Sequence, residues 1–280
     1  FDGAKGSITA QYNITPVALI NPVRVGYTFI GWYTQKDGGT YVGKYNDTYV
    51  PEEDVTLYAH WRINSYTVKF NTNPKSITEK NIYGDKISTD PTGSVNSIEV
   101  EYGGKAIMPD GTTIKRTGYK LIGWDISPSA KTPEFKIGST INHLSLTSED
   151  KATVTLYAIW EPVTYTVTYD MNLADTKKFN DDTVRFDETF VLSNVPERAG
   201  YDFYGWQITS GASYGAYKNE TDTNPDNKNV VRYKINDSLV NVRNTSGTVT
   251  LCAVWEHVRP DVNKTVEWSG VPMDDTDMYI

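Results

Sequence analysis

The chain has 280 residues, with 27 basic and 35 acidic side chains and a formal net charge of −8. Its length is enough for two or three small domains. The excess of negative charge argues against a nucleic-acid-binding surface, which needs a basic patch against the phosphates, and against attraction to an anionic membrane. Because no segment has the ~20 consecutive apolar residues of a membrane-spanning helix, we expect no membrane insertion. The single cysteine, Cys252, excludes an internal disulfide and a cysteine-based metal cluster.

The first motif along the chain has the pattern Arg-x-Gly-Tyr-x-Phe/Leu-x-Gly-Trp, and it occurs at residues 24–32, 116–124 and 198–206. Repetition of this kind is typical of a chain built from tandem structural units. Because the second glycine lies inside a strand-like run, we expect a β-bulge or the close approach of an aromatic ring there. The glycine, tyrosine and tryptophan positions of the three copies are Gly26, Tyr27, Gly31 and Trp32; Gly118, Tyr119, Gly123 and Trp124; and Gly200, Tyr201, Gly205 and Trp206.

Each copy closes with a second motif, Thr-Leu-Tyr-Ala-x-Trp, which ends at Trp61, Trp160 and Trp255. Its side chains alternate between two faces, which is the pattern of a β-strand. In the second copy Ile159 stands where the first has His60, so both faces are apolar and we predict a central strand. The tryptophans share a face with leucine and alanine and are expected in the core. Cys252 replaces the tyrosine in the third copy and is interpreted as a small buried apolar group.

Three further landmarks recur in the same order. A Tyr-Thr-Val strand begins at Tyr66 and at Tyr165, and short strand-like pieces lie around Tyr12, Tyr102 and Phe186. Residues 45–49, 137–141 and 235–239 contain Asn, Asp, Gly, Ser or Thr, which favour a turn or a single helical turn. Since no stretch of ten residues has a convincing helical period, the sequence predicts a mainly β fold.

These landmarks divide the chain into three repeats of about 95 residues, a domain-sized unit. We predict repeat 1 at 1–62 with a truncated opening strand, repeat 2 at 63–161, and repeat 3 at 162–257 with an insertion at 207–232. Residues 258–280 form a tail or the start of a next module. The joints at 62–65 and 161–164 are short, which favours restricted motion, an elongated rod and a monomer.

The motifs resemble the Listeria–Bacteroides repeat, also called the internalin B repeat. The resemblance implies β-grasp-like α+β small domains, found in tandem on secreted and surface-anchored bacterial proteins, mostly of Gram-positive species, which include adhesins and internalins. It implies no catalytic residues and no cofactor.

The residues themselves suggest little chemistry. The repeat pattern disperses His60, His143 and His257, so we expect no catalytic site, and the acidic clusters lack the ligand spacing of a calcium loop. Besides the insertion at 207–232, the second copy has a long insertion between Phe70 and Tyr102. Such insertions are where a scaffold tends to place recognition, and the candidate binding residues there are Tyr214, Tyr217 and Tyr83. The alternative is that these insertions are solvated loops without a ligand.

Taken together, the sequence predicts a non-catalytic, extracellular segment of a bacterial cell-surface or secreted protein. It would act as a spacer or stalk and adhere to a host protein or glycan. The alternative hypothesis is a polysaccharide-binding accessory region of a secreted carbohydrate-active enzyme.

Overall fold

The computed structural model describes residues 15–75, 78–82, 84–213 and 231–258. The regular secondary structure in these ranges is entirely β, which confirms the predicted mainly β class. The short helix that the turn motifs allowed is not found in these ranges, and neither is the helical part of the α+β fold that the resemblance implied. None of the described segments forms a helix with the length and apolar character needed to cross a membrane.

Among the described residues, five strands belong to the first copy. Strands β2, β3 and β5 form an antiparallel sheet in the order β3-β2-β5, and β1 pairs with β4. Their bounds are β1 (Val17–Ala18), β2 (Tyr27–Tyr33), β3 (Tyr41–Gly43), β4 (Thr48–Tyr49) and β5 (Tyr58–Ile63).

In the described part of the second copy there are eleven strands. Its main sheet has the order β10-β6-β16-β13-β14, in which β6 and β16 are parallel, and three two-stranded pairs join β11 to β15, β9 to β12 and β7 to β8. Their bounds are β6 (Ser65–Asn71), β7 (Thr78–Lys80), β8 (Lys86–Ser88), β9 (Thr92–Gly93), β10 (Ile98–Glu101), β11 (Gly104–Ile107), β12 (Ile114–Lys115), β13 (Tyr119–Asp125), β14 (Phe135–Lys136), β15 (Thr140–Leu144) and β16 (Thr153–Pro162).

The structure describes six strands in the third copy, where the main sheet has the order β18-β17-β22-β20 and β19 pairs with β21. Strand β17 runs parallel to β22, as β6 does to β16. Their bounds are β17 (Thr164–Asp170), β18 (Asp182–Arg185), β19 (Thr189–Val191), β20 (Tyr201–Ser210), β21 (Ser238–Val240) and β22 (Thr248–His257).

The closing strand is central in the second and third copies, as its two apolar faces predicted. Strand β16 lies between β6 and β13, and β22 lies between β17 and β20. The tryptophan that ends the first motif is fully buried in both copies, at Trp124 and Trp206, and its indole N–H donates to a backbone carbonyl in each. This pairing lets a large aromatic side chain enter the core without leaving a polar atom unsatisfied.

A β-bulge lies at the second glycine of all three motifs, where the strand register shifts before Gly31, Gly123 and Gly205. An aromatic ring covers the bare backbone only at Gly31, where the ring is that of Tyr41. At Gly123 the neighbours are Pro133 and the Phe135 carbonyl, and at Gly205 the neighbour is a backbone carbonyl. The expected ring is therefore wrong for two of the three copies, where a backbone carbonyl approaches the glycine instead.

The chain divides into two compact units. The first comprises residues 1–163 together with 185–187, and the second comprises residues 164–184 and 188–280. The first and second copies therefore belong to one unit, and the segment that contains Phe186 belongs to it as well. The boundaries predicted for three separate domains stay a prediction.

Candidate functional site

The Arg-x-Gly-Tyr sequence forms the same tight turn in each copy. The tyrosine N–H donates to the arginine carbonyl three residues earlier, at 3.1 Å for Tyr27, 3.2 Å for Tyr119 and 3.1 Å for Tyr201. The intervening glycine has φ of +77°, +77° and +78° in the three copies. A positive φ at the third position defines a type II turn, which a side chain would strain, so glycine is required there.

The arginine that begins the turn stacks on the tyrosine that ends it. The guanidinium carbon lies 3.6 Å from the ring centroid of Tyr27, 3.8 Å from that of Tyr119 and 3.9 Å from that of Tyr201. A cation above an aromatic face is attracted by the ring quadrupole. The contact joins the side chains of the first and last residues of the turn, in addition to their backbone hydrogen bond. The arginine two residues before the glycine is therefore a structural part of the motif.

In the first two copies an aromatic ring from further along the chain covers the bare face of the turn glycine. The ring of Tyr102 lies on Gly26 and the ring of Phe186 lies on Gly118, and a Cβ at either glycine would overlap the ring. Both glycines are buried. Since only a hydrogen atom fits between backbone and ring, glycine serves two purposes here, the turn and the close contact.

In the first two copies, the linker residue after the closing strand is hydrogen-bonded through its backbone to both the turn and the capping aromatic residue. The N–H of Asn64 donates to the Gly26 carbonyl at 2.9 Å, and the N–H of Tyr102 donates to the Asn64 carbonyl at 2.8 Å. Val163 repeats this arrangement with Gly118 and Phe186, with both distances 2.9 Å. One linker residue thus holds the turn of its own copy on one side and the capping aromatic residue on the other.

Side chains strengthen the joint between the first and second copies. The Asn64 amide donates to the Ser148 carbonyl at 2.8 Å, and Arg62 makes a bidentate ion pair with Asp150, with N–O distances of 3.1 and 2.5 Å. Two hydrogen bonds in this parallel geometry fix orientation as well as distance. The hydrogen bond from Arg62 holds the pKa of the Asp150 carboxyl below its usual range, and a backbone N–H from Ser65 contributes to the shift.

The polar contacts around the Gly118 turn differ from those at the joint between the first and second copies. Arg116 is 6% exposed and donates from Nε to the Thr89 carbonyl at 2.8 Å. The Tyr119 hydroxyl donates to Asp187 at 2.9 Å, and its ring meets that of Phe186 edge-on. Burial, followed by this hydrogen bond, raises the pKa of the Tyr119 hydroxyl well above its usual range, whereas burial lowers the pKa of Arg116.

The third turn is open where the first two are covered. Gly200 is exposed, and among the described residues no atom lies within 4 Å of the position that a Cβ would take. The linker contact is nevertheless present, because the N–H of Val258 donates to the Gly200 carbonyl at 3.1 Å. The Val258 carbonyl accepts from Nδ1 of His257 at 3.0 Å, and that imidazole packs edge-on against the Tyr201 ring.

A row of aromatic side chains lies on one face of the first sheet. Tyr33 stands directly opposite Tyr41 on β3 and Tyr58 on β5, and the His60 ring stacks on Tyr33 with centroids 3.9 Å apart. Tyr41 is 46% exposed and Tyr58 is 38% exposed. We call these four residues the aromatic row. It presents exposed rings on a rigid sheet, which can pack against an apolar face of a ligand.

The predicted binding residues Tyr83, Tyr214 and Tyr217 lie outside the described residues, as do Tyr12 and the tail at 259–280. The tryptophans that end the closing motif lie in or against the core. Trp255 is 6% exposed, Trp160 packs against the hydrophobic core of the second copy, and the ring of Trp61 meets that of Phe29 edge-on. Cys252 is buried, and burial raises the pKa of its thiol to about 12.

The three histidines are dispersed over separate parts of the fold. His60 lies in the aromatic row, His143 contacts the Gly103 carbonyl, and His257 lies beside Tyr201. Within the part of the chain that the structure describes, no three His, Cys, Asp or Glu side chains come together in a way that could hold a metal ion.

Sequence reasoning missed the caps and the ion pair. Tyr102 and Phe186 were identified as recurring landmarks, but nothing in the order of motifs indicated that each covers a glycine of the preceding copy. One signal in the sequence is that an aromatic residue recurs before each Arg-x-Gly-Tyr motif, although the segment that separates it from the preceding closing strand differs in length between the copies. Asp150 carries no comparable signal, because it follows no motif of the repeat.

Comparison with known proteins assigns the motifs to a family. The sequence profile of the Listeria-Bacteroides repeat domain matches residues 2–60, 90–159 and 165–231. Internalin H of Listeria monocytogenes is 43% identical over 82 residues, which cover 29% of this chain and 15% of internalin H.

Two proteins of Evansella cellulosilytica are also similar to this chain. One carries the name of a Gly-rich membrane protein and is 27% identical over 196 residues, with 66% of this chain and 20% of the relative covered. The other, named as a membrane protein, is 28% identical over 185 residues, with 66% of this chain and 23% of the relative covered. The chain thus spans less than a quarter of the length of each of these three relatives. With three matched regions that contain its three turns and three bulges, the chain belongs to the Listeria-Bacteroides repeat family.

Proposed function

We propose that this chain is a non-catalytic spacer segment of a bacterial cell-surface or secreted protein, located outside the cell. In this function the repeats hold other parts of the protein at a distance from one another. Membership of the repeat family supports it, together with similarity to proteins named as an internalin and as membrane proteins. Their shared segment is a small part of each relative, as expected for a module that serves different proteins.

The joint between the first and second copies is the observation that carries this proposal. A spacer needs joints that resist bending, because a flexible linker lets its two ends approach each other. Asn64 is bonded through its backbone to Gly26 on one side and to Tyr102 on the other, and the Tyr102 ring covers Gly26. The ion pair of Arg62 with Asp150 crosses the same joint. Rotation there would break several contacts at once.

The chemistry of the described residues supports a function without catalysis. A catalytic histidine needs a nucleophile or a charged partner within hydrogen-bond reach. Among the described residues, the rings of His60, His143 and His257 form hydrogen bonds with backbone carbonyls. Burial and the raised thiol pKa make Cys252 a poor nucleophile at neutral pH.

The spacer function can be tested by measuring the distance between the first and second copies. Lys36 and Lys131 are exposed, and each is replaced by Cys to carry a spin label. Double electron–electron resonance then measures the distribution of distances between the two labels. The native Cys252 is buried and protonated, so it stays unlabelled in the folded protein. We expect a narrow distribution that the combined R62A and N64G substitutions broaden. A distribution equally broad without these substitutions would overturn the proposal, as would hydrolytic or transferase activity of the purified chain.

A second candidate function, adhesion to a glycan, is favoured by the aromatic row. Sugar rings carry C–H groups on one face that pack on exposed aromatic rings, and Tyr41 and Tyr58 present such rings side by side with Tyr33. Under this proposal the polysaccharide lies across β3, β2 and β5.

A glycan array probed with the full chain and with the Y41A/Y58A variant tests this candidate. Y45A is the matched control, because Tyr45 is also exposed but lies outside the row. Binding that is lost in Y41A/Y58A and retained in Y45A would support adhesion at the row. Binding that survives both changes, or that is absent from the unaltered chain, would remove it.

A further inference from the structure

The three turns are nearly superimposable in their local contacts, yet only the third lacks a described cap. In each copy the turn hydrogen bond, the left-handed glycine and the arginine–tyrosine stack are present. In the first two copies the glycine is buried under an aromatic ring, whereas Gly200 is exposed. The third copy therefore exposes the same kind of turn surface on which Tyr102 and Phe186 pack in the first two copies.

The linker at the third turn is already in the position that precedes a cap. Val258 donates to the Gly200 carbonyl as Val163 donates to Gly118, and both linker residues are valine. In the first two joints the linker carbonyl then accepts the N–H of the capping residue. At Val258 that carbonyl accepts instead from the ring of His257, a side chain on the surface of the protein. An exposed side chain can rotate away at little cost, which leaves the carbonyl free to accept a backbone N–H.

We propose that the turn formed by Arg198, Gly200 and Tyr201 is a docking site for an aromatic side chain of a further repeat module that follows Val258. The aromatic ring lies on Gly200, as Tyr102 lies on Gly26, and the N–H of the same residue donates to the Val258 carbonyl. The occupant is a module of the same family, because two of the three turns in this chain hold such a residue. The inference deepens the proposed spacer function and rests on it, since a spacer grows by adding modules through one repeated joint.

The sequence after Val258 agrees with such a module. Residues 264–268 read Lys-Thr-Val-Glu-Trp, which shares its Thr-Val pair and its final aromatic residue with the strand sequence Tyr-Thr-Val-Lys-Phe at 66–70. This segment lies outside the described residues, and the docking site itself consists of described residues only.

The test inserts a copy of residues 164–258 after Val258 in the full chain. The inserted equivalent of Phe186 then follows Val258 at the same chain distance at which Phe186 follows Val163. We expect its amide hydrogen to exchange at least about tenfold more slowly than in the same protein carrying G200A, because a methyl group on Gly200 overlaps the docked ring. Nitrogen relaxation of the third copy and the inserted module should then report a common tumbling time.

Two controls separate docking from general damage. G138A changes another left-handed glycine with open space around it, so it should leave exchange in the inserted module unchanged. Replacing the inserted equivalent of Phe186 by Ala should restore independent tumbling without G200A.

Amide exchange that is insensitive to G200A, or independent tumbling in the unaltered insertion protein, would overturn the inference. Self-association of the 280-residue chain that G200A abolishes would overturn it too, because a second copy would then occupy the turn. If docking fails while the distance between the first and second copies stays narrow, the inference falls and the spacer function stands.

Discussion

The Gly118 turn and the Gly200 turn have the same backbone and the same arginine–tyrosine stack, but different surroundings. Gly118 lies beneath Phe186, and its arginine is buried with a bond to the Thr89 carbonyl. Gly200 faces open space among the described residues, and its arginine is half-buried. The difference shows that the residues of the motif are sufficient to form the turn. Covering the turn glycine requires an aromatic residue from another part of the chain.

The largest expected effect comes from removing the cap. Phe186 is fully buried, so F186A leaves a cavity over Gly118 and should destabilise this region by about 3–5 kcal/mol. Hydrogen exchange of the Val163 amide, followed across a urea series, measures the loss. F186L keeps most of the volume and is the control. If F186A left this amide as protected as F186L does, the capping ring would not be what holds the joint.

The second effect separates the two glycines. At Gly118 an alanine has both a strained left-handed backbone, about 1–2 kcal/mol, and an overlap with Phe186 that adds about 1–3 kcal/mol. At Gly200 only the backbone strain applies. Denaturant unfolding monitored by exchange in each region should therefore show G118A costing more than G200A. Equal costs would mean that the Phe186 ring moves aside freely, which contradicts close packing on Gly118.

The third effect compares the arginines. R116A removes a buried bond to the Thr89 carbonyl and the stack on Tyr119, and we expect a loss of about 1–3 kcal/mol. R198A removes the stack of a half-buried arginine on Tyr201, which is worth about 0.5–1 kcal/mol. The same exchange measurement should show R116A as the more damaging change. The reverse order would show that burial does not strengthen the contact.

The smallest effect is a pH dependence that only the joint of the first and second copies should show. The Arg62 hydrogen bond lowers the pKa of Asp150 in the folded protein, so the stabilisation is present above the unfolded pKa of about 4 and is lost as the pH falls through the folded pKa. D150N should be less stable than the parent at pH 7, and the gap should narrow below about pH 4. A gap that stays constant over this range would indicate that the carboxylate charge contributes nothing to the joint.

Local pattern was sufficient for the strands and turns, and insufficient for the joint. Alternation in the closing motif predicted a strand, and the two apolar faces of its second copy predicted the central position of β16. The glycine inside the first motif predicted the bulges. Among the described residues, the ring expected over that glycine lies there only at Gly31, whereas a backbone carbonyl approaches Gly123 and Gly205.

The sequence by itself determined the β class, the three-fold repetition and the family, because strand periodicity, glycine in turns and fixed aromatic positions act over short stretches of chain. Only the tertiary structure decided that Tyr102 and Phe186 cover glycines far away in the sequence, that Arg62 pairs with Asp150, and that no described residue covers the exposed Gly200. These are contacts between residues separated by tens of positions. They arise when whole sheets pack, and no local pattern specifies which ring meets which turn.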